Sequence, residues 1–384
     1  MTGAATPSPQ EANEKRPKDQ KEYELANKTF TAVQGGDWKT ALAGLDEWKK
    51  EYPDSAYKED WPRIYLRGYQ QTAQKEKAIA QAKEILSGAP DDFESNFAII
   101  SLVPTLGTPN DGQLNDAIAA SKTLLKGKPS TLNDQQWAQV EKQVTTTAHQ
   151  TLGWIHMQRK ENVDAEKEFK ETLKINPNLA QVSYWLGDVV LKQGDPNKNE
   201  LALFSFARAA AYDGEGSLNA QGREQVDAYL KKVYARYTGG EDGLDELKVQ
   251  AKTQPLPPAG LKIESAEVRR FKSEQKSRED NPLLWKYKDL KASLVAANGD
   301  AIWGELQGKL TPKMALYVVG MDSDRPQTLT LATEAGGPAE VTLNLENRLR
   351  AGPARGKRIE FDGVASSLTK EPFKLVLNGG HVLN

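Results

Sequence analysis

The first two thirds of the chain repeat one pattern of small, apolar and proline positions. A small residue is followed by further inward positions four and seven residues later and by a proline twelve residues later. Offsets of four and seven share one face of an α-helix, and proline ends a helix because it has no N–H to donate. The pattern therefore predicts a series of helices whose packed faces carry small residues. Its copies are Ala41, Leu45, Trp48, Pro53; Ala78, Ala82, Ile85, Pro90; Ala117, Ser121, Leu124, Pro129; Ala165, Phe169, Thr172, Pro177; and Ala202, Phe206, Ala209, which ends at Gly214.

A second signature precedes the fourth and fifth copies. The pair Leu152-Gly153 recurs as Leu186-Gly187, and small residues at such positions let two helices pack closely. With these residues, the stretches 148–177 and 182–210 resemble consecutive tetratricopeptide repeats, whose period is about 34 residues. The earlier copies are more divergent, because their periods vary and their first helices lack the Leu-Gly pair. The resemblance implies a mostly α chain, a solenoid of stacked helix hairpins in which the first helix of each pair lines a concave groove.

Composition shifts along the chain predict five segments. Residues 1–20, which are polar and rich in Ala, Pro and charged side chains, form a disordered leader. Residues 21–216 form about five tetratricopeptide-like helix pairs, and residues 217–252 form capping helices that cover the last repeat. Residues 253–282, which are first proline-rich and then charged, form an interdomain linker. Residues 283–384 form a helix and a small β-barrel-like domain.

The leader also bears on where the protein resides. It lacks the basic start and the apolar core of a secretory signal. Two interpretations are open: an ordinary cytoplasmic start, or the tail that remains after signal removal from an exported, periplasmic protein, with Met1 added afterwards. We lean toward the second. No apolar run approaches about 18 residues, so we expect no membrane-spanning segment.

The last part of the chain changes to a strand-like pattern. After a helix predicted at 283–297, apolar positions alternate with a period of two and β-branched residues become frequent. With the run from Gly356 to Gly363 and a strand near the end of the sequence, this part is similar to the small OB-like barrels of bacterial exported proteins. A small β-sandwich is the competing interpretation. The predicted strands are 309–319, 328–333, 340–345, 358–366 and 373–378.

The OB-like resemblance raises the question of a nucleic-acid ligand. OB-like barrels often bind oligonucleotides, but the binding face then carries stacking aromatics and a positive groove. The predicted strands carry few aromatic residues, namely Tyr317, Phe361 and Phe373, and basic and acidic residues nearly balance in this region. We therefore do not expect a nucleic-acid partner.

The composition and the missing motifs argue against several kinds of ligand and catalytic site. The net charge is -2 and the pI about 6.1, so the chain as a whole has no attraction to phosphate backbones or anionic lipid. It contains no cysteine, which excludes disulfides, thiolate nucleophiles and zinc–thiolate sites. P-loop, dinucleotide-binding, nucleophile-elbow and metalloprotease motifs are all missing. We expect no catalytic residue, no cofactor and no enzyme activity.

Three local clusters could carry chemistry, and each has a simpler explanation. His149 and His156 lie on one helix, but metal binding would need further ligands that the sequence pattern does not supply, so we predict structural histidines and no metal. Asp322 and Asp324 could hold a cation, although an acidic, Ser- and Pro-containing segment between strands is also what a turn requires. A basic run could clamp an anion, and a solvated charge cluster is favoured. The run comprises Arg348, Arg350, Arg355, Lys357 and Arg358.

What the tetratricopeptide resemblance implies is a non-enzymatic scaffold whose groove binds a peptide or a partner protein. One face of the first helices supplies the candidate partner-binding residues: Arg63, Arg67, Gln70, Gln150, Trp154, Gln158, Tyr184, Asp188 and Lys192. Two alternatives stay open. The β domain could be the ligand-binding module, for a cell-envelope component, a saccharide or an oligonucleotide, while the solenoid positions it. The protein could also be a hydrolase accessory with a hidden pair of carboxylates. Self-association is left open.

Overall fold

The fold is that of a computed structural model, which describes residues 15–383 of the chain. The chain divides into two compact units, with the boundary between Ile263 and Glu264. Of the predicted leader, residues 1–14 lie outside the described part, and Lys15 forms an ion pair with Asp60 at 2.6 Å.

Helix hairpins build the first unit. Within residues 15–263, ten helices form five consecutive pairs, as the repeated pattern predicts. The pairs are α1 Gln20–Gln34 with α2 Trp38–Glu51, α3 Trp61–Gln71 with α4 Lys75–Gly88, α5 Phe93–Leu102 with α6 Asp111–Leu124, α7 Asp134–Gln158 with α8 Asn162–Ile175, and α9 Ala180–Leu191 with α10 Asn199–Ala211.

The positions of the sequence pattern are the packed face of the second helix in each pair. The five residues that open the copies are at most 1% exposed: Ala41, Ala78, Ala117, Ala165 and Ala202. In the fourth and fifth pairs a phenylalanine ring fills the space over a glycine of the first helix. A Cβ at Gly153 would lie 2.6 Å from Phe169, and one at Gly187 would lie 2.9 Å from Phe206. Only glycine allows this approach, so the prediction of tetratricopeptide-like packing is confirmed.

Two further helices, α11 Ala220–Thr238 and α12 Leu244–Thr253, follow the fifth pair. Leu230 of α11 is fully buried in the same core as Phe206. Arg208 of α10 is only 3% exposed and donates hydrogen bonds to the carbonyls of Pro177 at 3.0 Å and Ala251 at 3.2 Å. This buried guanidinium ties α10 to the turn between α8 and α9 and to α12.

The segment predicted as a linker contains a helix, α13 Ala266–Asp280, which belongs to the second unit. Ser265 caps it by accepting a hydrogen bond from the Val268 N–H, and Ala, Glu, Arg, Lys and Gln favour helix within it. None of its residues is buried, because polar and charged side chains lie on every face. The charge-rich composition therefore produces an exposed helix here.

The second unit continues with α14 Pro282–Val295 and α15 Gly299–Leu306 and ends in a five-stranded sheet. The strands are β1 Met314–Met321, β2 Thr328–Ala332, β3 Val341–Leu345, β4 Arg358–Lys370 and β5 Phe373–Val382. The sheet closes into a barrel in the order β1-β2-β3-β5-β4. The β3–β5 pair is parallel, and the other pairs are antiparallel.

Alternating apolar residues fill the barrel. Val318, Leu343 and Phe361 are fully buried, and their strand neighbours are less so. Tyr287 of α14 also packs on this core and donates its hydroxyl to Glu340 at 2.9 Å. The prediction of a small all-β domain after the solenoid is confirmed, and the sheet is a closed barrel instead of the sandwich kept as an alternative. No helix in the described range is both long and apolar enough to span a bilayer.

Candidate functional site

The first helices of the second to fifth pairs, together with α11, define a surface of the first unit. We call it the first-helix surface, and it comprises α3, α5, α7, α9 and α11. Two cavities open on it. The α9–α11 cavity has a volume of about 340 Å³ and is lined by Gln181, Tyr184, Leu218, Gly222, Gln225, Val226 and Tyr229. The α5–α9 cavity has a volume of about 260 Å³ and is lined by Ile100, Ser101, Pro104, Thr105, Thr147, Gln150, Thr151, Trp154 and Trp185.

The α9–α11 cavity is built on a buried phenylalanine. Phe206 belongs to α10, the second helix of the fifth pair, and its ring lies over Gly187. The ring makes edge contacts with two tyrosines of the first-helix surface. Its ring centroid is 5.9 Å from that of Tyr184 and 5.2 Å from that of Tyr229. Tyr229 remains 40% exposed. Partial burial, together with the nearby Asp188 carboxylate, raises the pKa of the Tyr229 phenol.

The α5–α9 cavity lies beside two tryptophans. Trp185 packs on Phe169 with ring centroids 5.7 Å apart, and Trp154 lines the cavity from α7. The Thr151 hydroxyl donates to the carbonyl of Ile100 at 3.0 Å, so α7 is held against α5 below the cavity. Both cavities therefore present aromatic rings that buried side chains hold in place.

The predicted arginines occupy a different environment. Arg63 donates to Asp92 at 2.7 Å, and Arg67 donates to Glu94 at 2.6 Å. Burial acts to raise the pKa of Asp92, but hydrogen bonds from Ser95 and Arg63 outweigh it and leave that pKa lowered. The hydrogen bond to Glu94 raises the pKa of Arg67. The two arginines of α3 therefore form ion pairs with the two carboxylates at the start of α5.

The remaining predicted residues divide between the cavities and their surroundings. Gln150, Trp154 and Tyr184 line the cavities. Asp188 accepts a hydrogen bond from Lys192 at 2.7 Å, which raises the pKa of that lysine. The structure brings Gln70 and Gln158 into neither cavity.

Sequence reasoning missed several lining residues. Trp185 follows the predicted Tyr184 directly, but it faces the other cavity. Gln225 and Tyr229 were missed because α11 was interpreted only as a cap. Helix α11 follows the fifth pair as a further first helix would, so continuing the pattern of first helices by one element is the signal that would have found them.

The two histidines of α7 make local contacts with α8 and the residue that precedes it. His149 pairs with Glu168 at 2.7 Å, and His156 pairs with Glu161 at 2.5 Å. In the described part of the chain, one group of His, Asp and Glu has ligand atoms within 4.8 Å of one another, and it consists of His156, Glu161 and Asp164. Sequence reasoning missed this grouping, which joins the end of α7 to the start of α8. Its two carboxylates are exposed, as acidic side chains at a helix start commonly are without a metal.

The polar clusters of the barrel unit contact the backbone and each other. Asp322 accepts a hydrogen bond from the Gln327 N–H at 3.1 Å, which is a turn contact. Arg348 donates to the carbonyl of Arg325 at 3.1 Å. Arg358 donates to the side chain of Asn281. Within residues 15–383, no carboxylate pairs with the other basic residues of this run, which are Arg350, Arg355 and Lys357.

Comparison with known proteins gives structural matches alone. No protein-family model matches the chain, and no curated protein does. Among 70 matching chains of solved structures, a MamA protein is 13% identical with a TM-score of 0.34, over 59% of this chain and 94% of that one. MamA from Desulfovibrio magneticus RS-1 is 14% identical with a TM-score of 0.32, over 47% and 90%. A thermophilic TPR protein of Thermus thermophilus, TTC0263, is 15% identical with a TM-score of 0.28, over 55% and 98%.

These TM-scores are too low to support an argument, and the fold rests on the helix pairs and the sheet described above. The chain has a tetratricopeptide-like helical repeat fold followed by a closed five-stranded barrel.

Proposed function

We propose that the chain is a non-enzymatic scaffold that binds a peptide or a partner protein on the first-helix surface. The observation that carries this proposal is the pair of neighbouring cavities on α5, α7, α9 and α11, lined by aromatic and glutamine side chains. Aromatic rings anchored at a concave surface supply large contact area with little conformational entropy to lose on binding. Helical repeat arrays offer such surfaces to extended partners.

The chemistry of the lining supports binding over catalysis. Among the described residues, neither cavity is lined by a carboxylate, a histidine, a lysine or an arginine. The hydroxyls of Ser101, Thr105 and Thr147 therefore have no general base beside them in the α5–α9 cavity. The carboxylates of Asp92 and Glu94 are engaged by arginines, which does not favour a hydrolytic pair on this surface.

The barrel unit supports a second candidate function. Its strand order, with a parallel β3–β5 pair, agrees with an OB-like barrel. The loop between β3 and β4 carries the basic residues Arg350, Arg355 and Lys357. In this alternative the barrel binds an anionic cell-envelope component, saccharide or oligonucleotide, and the solenoid positions it.

Two full-length double variants separate these proposals. Trp154→Ala with Tyr229→Ala removes one ring from each cavity, and Arg350→Ala with Lys357→Ala removes two charges from the barrel loop. Each is compared with the wild type by affinity capture from the source cells, quantified by mass spectrometry, after circular dichroism has shown equal helix content. We expect proteins captured by the wild type to be lost with the aromatic variant and retained with the barrel variant. The reverse result would transfer the binding function to the barrel.

A further inference from the structure

We infer that the turn between α7 and α8 binds a divalent transition-metal ion such as Zn²⁺ through His156, Glu161 and Asp164. The inference does not depend on the proposed function, because none of these residues lines either cavity of the first-helix surface. The sequence alone predicted no metal, since His156 and Asp164 belong to different helices. The site follows from the backbone of the turn, the identity of its side chains and the charges around them.

The backbone of the turn brings the three positions together. Lys160 has a left-handed φ of 61°, and the Glu161 N–H donates to the carbonyl of His156 at 2.9 Å. This pattern is a Schellman-type helix ending, so the chain that leaves α7 returns to the last turn of that helix. Glu161 is the residue before α8, and Asp164 lies three residues later, where side chains on a helix are neighbours.

The same turn, with a left-handed residue and the same backbone hydrogen bond, occurs in the first and second helix pairs. In the second pair the Gln74 N–H donates to the Tyr69 carbonyl at 2.8 Å. Lys77, which holds the place of Asp164, has its ammonium group 5.5 Å from the centre of the Tyr69 ring. The first and third positions of the turn therefore meet whatever side chains they carry.

Of the three turns, that of the fourth pair alone carries metal-binding side chains at all three positions. The other turns have Ala32, Asp37 and Thr40 in the first pair and Tyr69, Gln74 and Lys77 in the second. The Nδ1 atom of His156 lies 2.5 Å from a Glu161 carboxylate oxygen, and one ligand atom from each of the three residues lies within 4.8 Å of the others. Zinc ligands lie about 2.0–2.2 Å from the ion, so small side-chain rotations bring these atoms to one ion.

The histidine distinguishes this group from an ordinary acidic surface. Exposed acidic groups are common without a metal ion, and Mg²⁺ and Ca²⁺ are bound mainly by oxygen atoms. An imidazole nitrogen suits Zn²⁺, Ni²⁺ or Cu²⁺. Three protein ligands leave at least one position of the ion for water.

The charges near the turn leave the two carboxylates available. Among the described residues, neither Glu161 nor Asp164 forms an ion pair with a lysine or an arginine. The adjacent cations in the sequence are Arg159 and Lys160. Arg159 donates to the side chain of Asn115 at 2.9 Å, and in the described range Lys160 forms no ion pair. A metal ion therefore has no side-chain cation to displace.

Titration with Zn²⁺ tests the inference on the untagged full-length chain. By isothermal titration calorimetry we expect one site with a dissociation constant below about 100 μM, and excess Mg²⁺ should not displace the ion. His156→Gln should weaken Zn²⁺ binding by about tenfold or more, since even residues that only support a metal ligand contribute about 10–100-fold. Zn²⁺ should also raise the thermal unfolding midpoint of the wild type more than that of this variant, because an ion bound by the folded chain stabilises it.

His149 supplies a matched control. It lies on the same helix, its side chain is 21% exposed like that of His156, and it pairs with one carboxylate, that of Glu168. His149→Gln should leave the Zn²⁺ affinity unchanged. Asp164→Asn alters an exposed side chain, so it tests the site even where His156→Gln folds poorly, and it should weaken binding by about tenfold.

NMR signals of the imidazole rings locate the ion, because the chain has three histidines. Zn²⁺ should shift the signals of His156. His381 also meets two carboxylates, those of Asp362 and Glu346, but through opposite ring nitrogens, so one ion cannot bind all three groups. Shifts confined to His149 or His381 would overturn the inference.

Two calorimetric results would also overturn it. The first is the absence of binding at about 100 μM Zn²⁺. The second is an affinity that His156→Gln and Asp164→Asn leave unchanged, or that Mg²⁺ matches, which would indicate unspecific attraction to surface carboxylates.

Discussion

The first-helix surface has two halves that occupy equivalent places in the repeat and differ in chemistry. On the α3 side, Arg63 and Arg67 pair with Asp92 and Glu94 at the start of α5. On the α7, α9 and α11 side, aromatic and glutamine side chains surround two cavities. The same hairpin architecture therefore supports a charged half that satisfies itself and an aromatic half that is lined mainly by uncharged side chains. Exposed positions of a repeat vary independently of the packed positions that define it.

The two halves also depend on different interactions below the surface. Tyr184 and Tyr229 lie against Phe206, which is 1% exposed, so the aromatic half rests on core packing. The charged half depends on Asp92, a carboxylate that is 1% exposed and held by Arg63. Substitutions of Phe206 and of the Arg63–Asp92 pair should therefore lower the stability of the protein independently and by different amounts.

The largest effect is expected for Phe206→Ala. This substitution empties the space over Gly187 and removes the ring that supports both tyrosines. It should lower the free energy of unfolding by about 3–5 kcal/mol, measured by urea denaturation with tryptophan fluorescence. Phe206→Leu, which keeps part of the volume, should lose less. A loss below about 1 kcal/mol for Phe206→Ala would show that the aromatic half does not depend on this ring.

The second prediction concerns the close approach in the fifth pair. In Gly187→Ala the new Cβ would lie 2.9 Å from the Phe206 ring, so the ring must shift. We expect a loss of about 1–3 kcal/mol in the free energy of unfolding. Gly88→Ala is the matched control, because a Cβ at this helical glycine has no neighbour within 4 Å. Equal effects at the two glycines would contradict the role of the Gly187 contact.

The third prediction tests the charged half. Arg63→Ala leaves the buried Asp92 without its cation and should cost about 1–3 kcal/mol of unfolding free energy. Asp92→Asn can still accept the hydrogen bond from the Ser95 N–H, which is 3.0 Å long. The double variant should therefore be more stable than the sum of the two single losses predicts. Strict additivity in this cycle would show that Arg63 and Asp92 are not coupled.

The smallest expected effect is a difference in pH dependence between the halves. The pKa of Asp92 is lowered in the folded chain from a value of 3.8. Its contribution to stability is therefore complete above the unfolded pKa and is lost as the pH falls through the folded pKa. The wild type should lose more thermal stability than Asp92→Asn on acidification from about pH 5 to about pH 3. Parallel curves would assign the acid sensitivity to other carboxylates.

The sequence predicted the buried helix faces of the first unit and the strands of the second. The small residues Ala41, Ala165 and Ala202 mark helix faces that the structure buries, because a close helix contact excludes larger side chains at those positions. The strand predicted at 328–333 corresponds to β2 Thr328–Ala332, because a half-buried strand alternates apolar and polar residues. The periodicity of apolar residues along a short stretch of sequence predicts both the buried helix faces and the strand.

The first-helix surface was predicted less completely. Gln150, Trp154 and Tyr184, which were predicted to face a groove, line cavities, whereas Arg63, which was predicted to bind a partner, meets a carboxylate 29 residues further along the chain. Partner binding by these residues stays a prediction. The spacing within one helix indicates which side chains point outward. It does not indicate which residue of the next hairpin lies opposite them.

What the sequence by itself determined is the repeated helix hairpin and the succession of strands, since both follow from periodic burial within a short stretch of chain. Only the tertiary structure decided which exposed residues meet. Gln181 and Tyr229 come together in one cavity because α9 and α11 both pack against α10, which lies between them in the sequence. The geometry of that stacking depends on the volumes of buried side chains such as Phe206, and no local pattern encodes it.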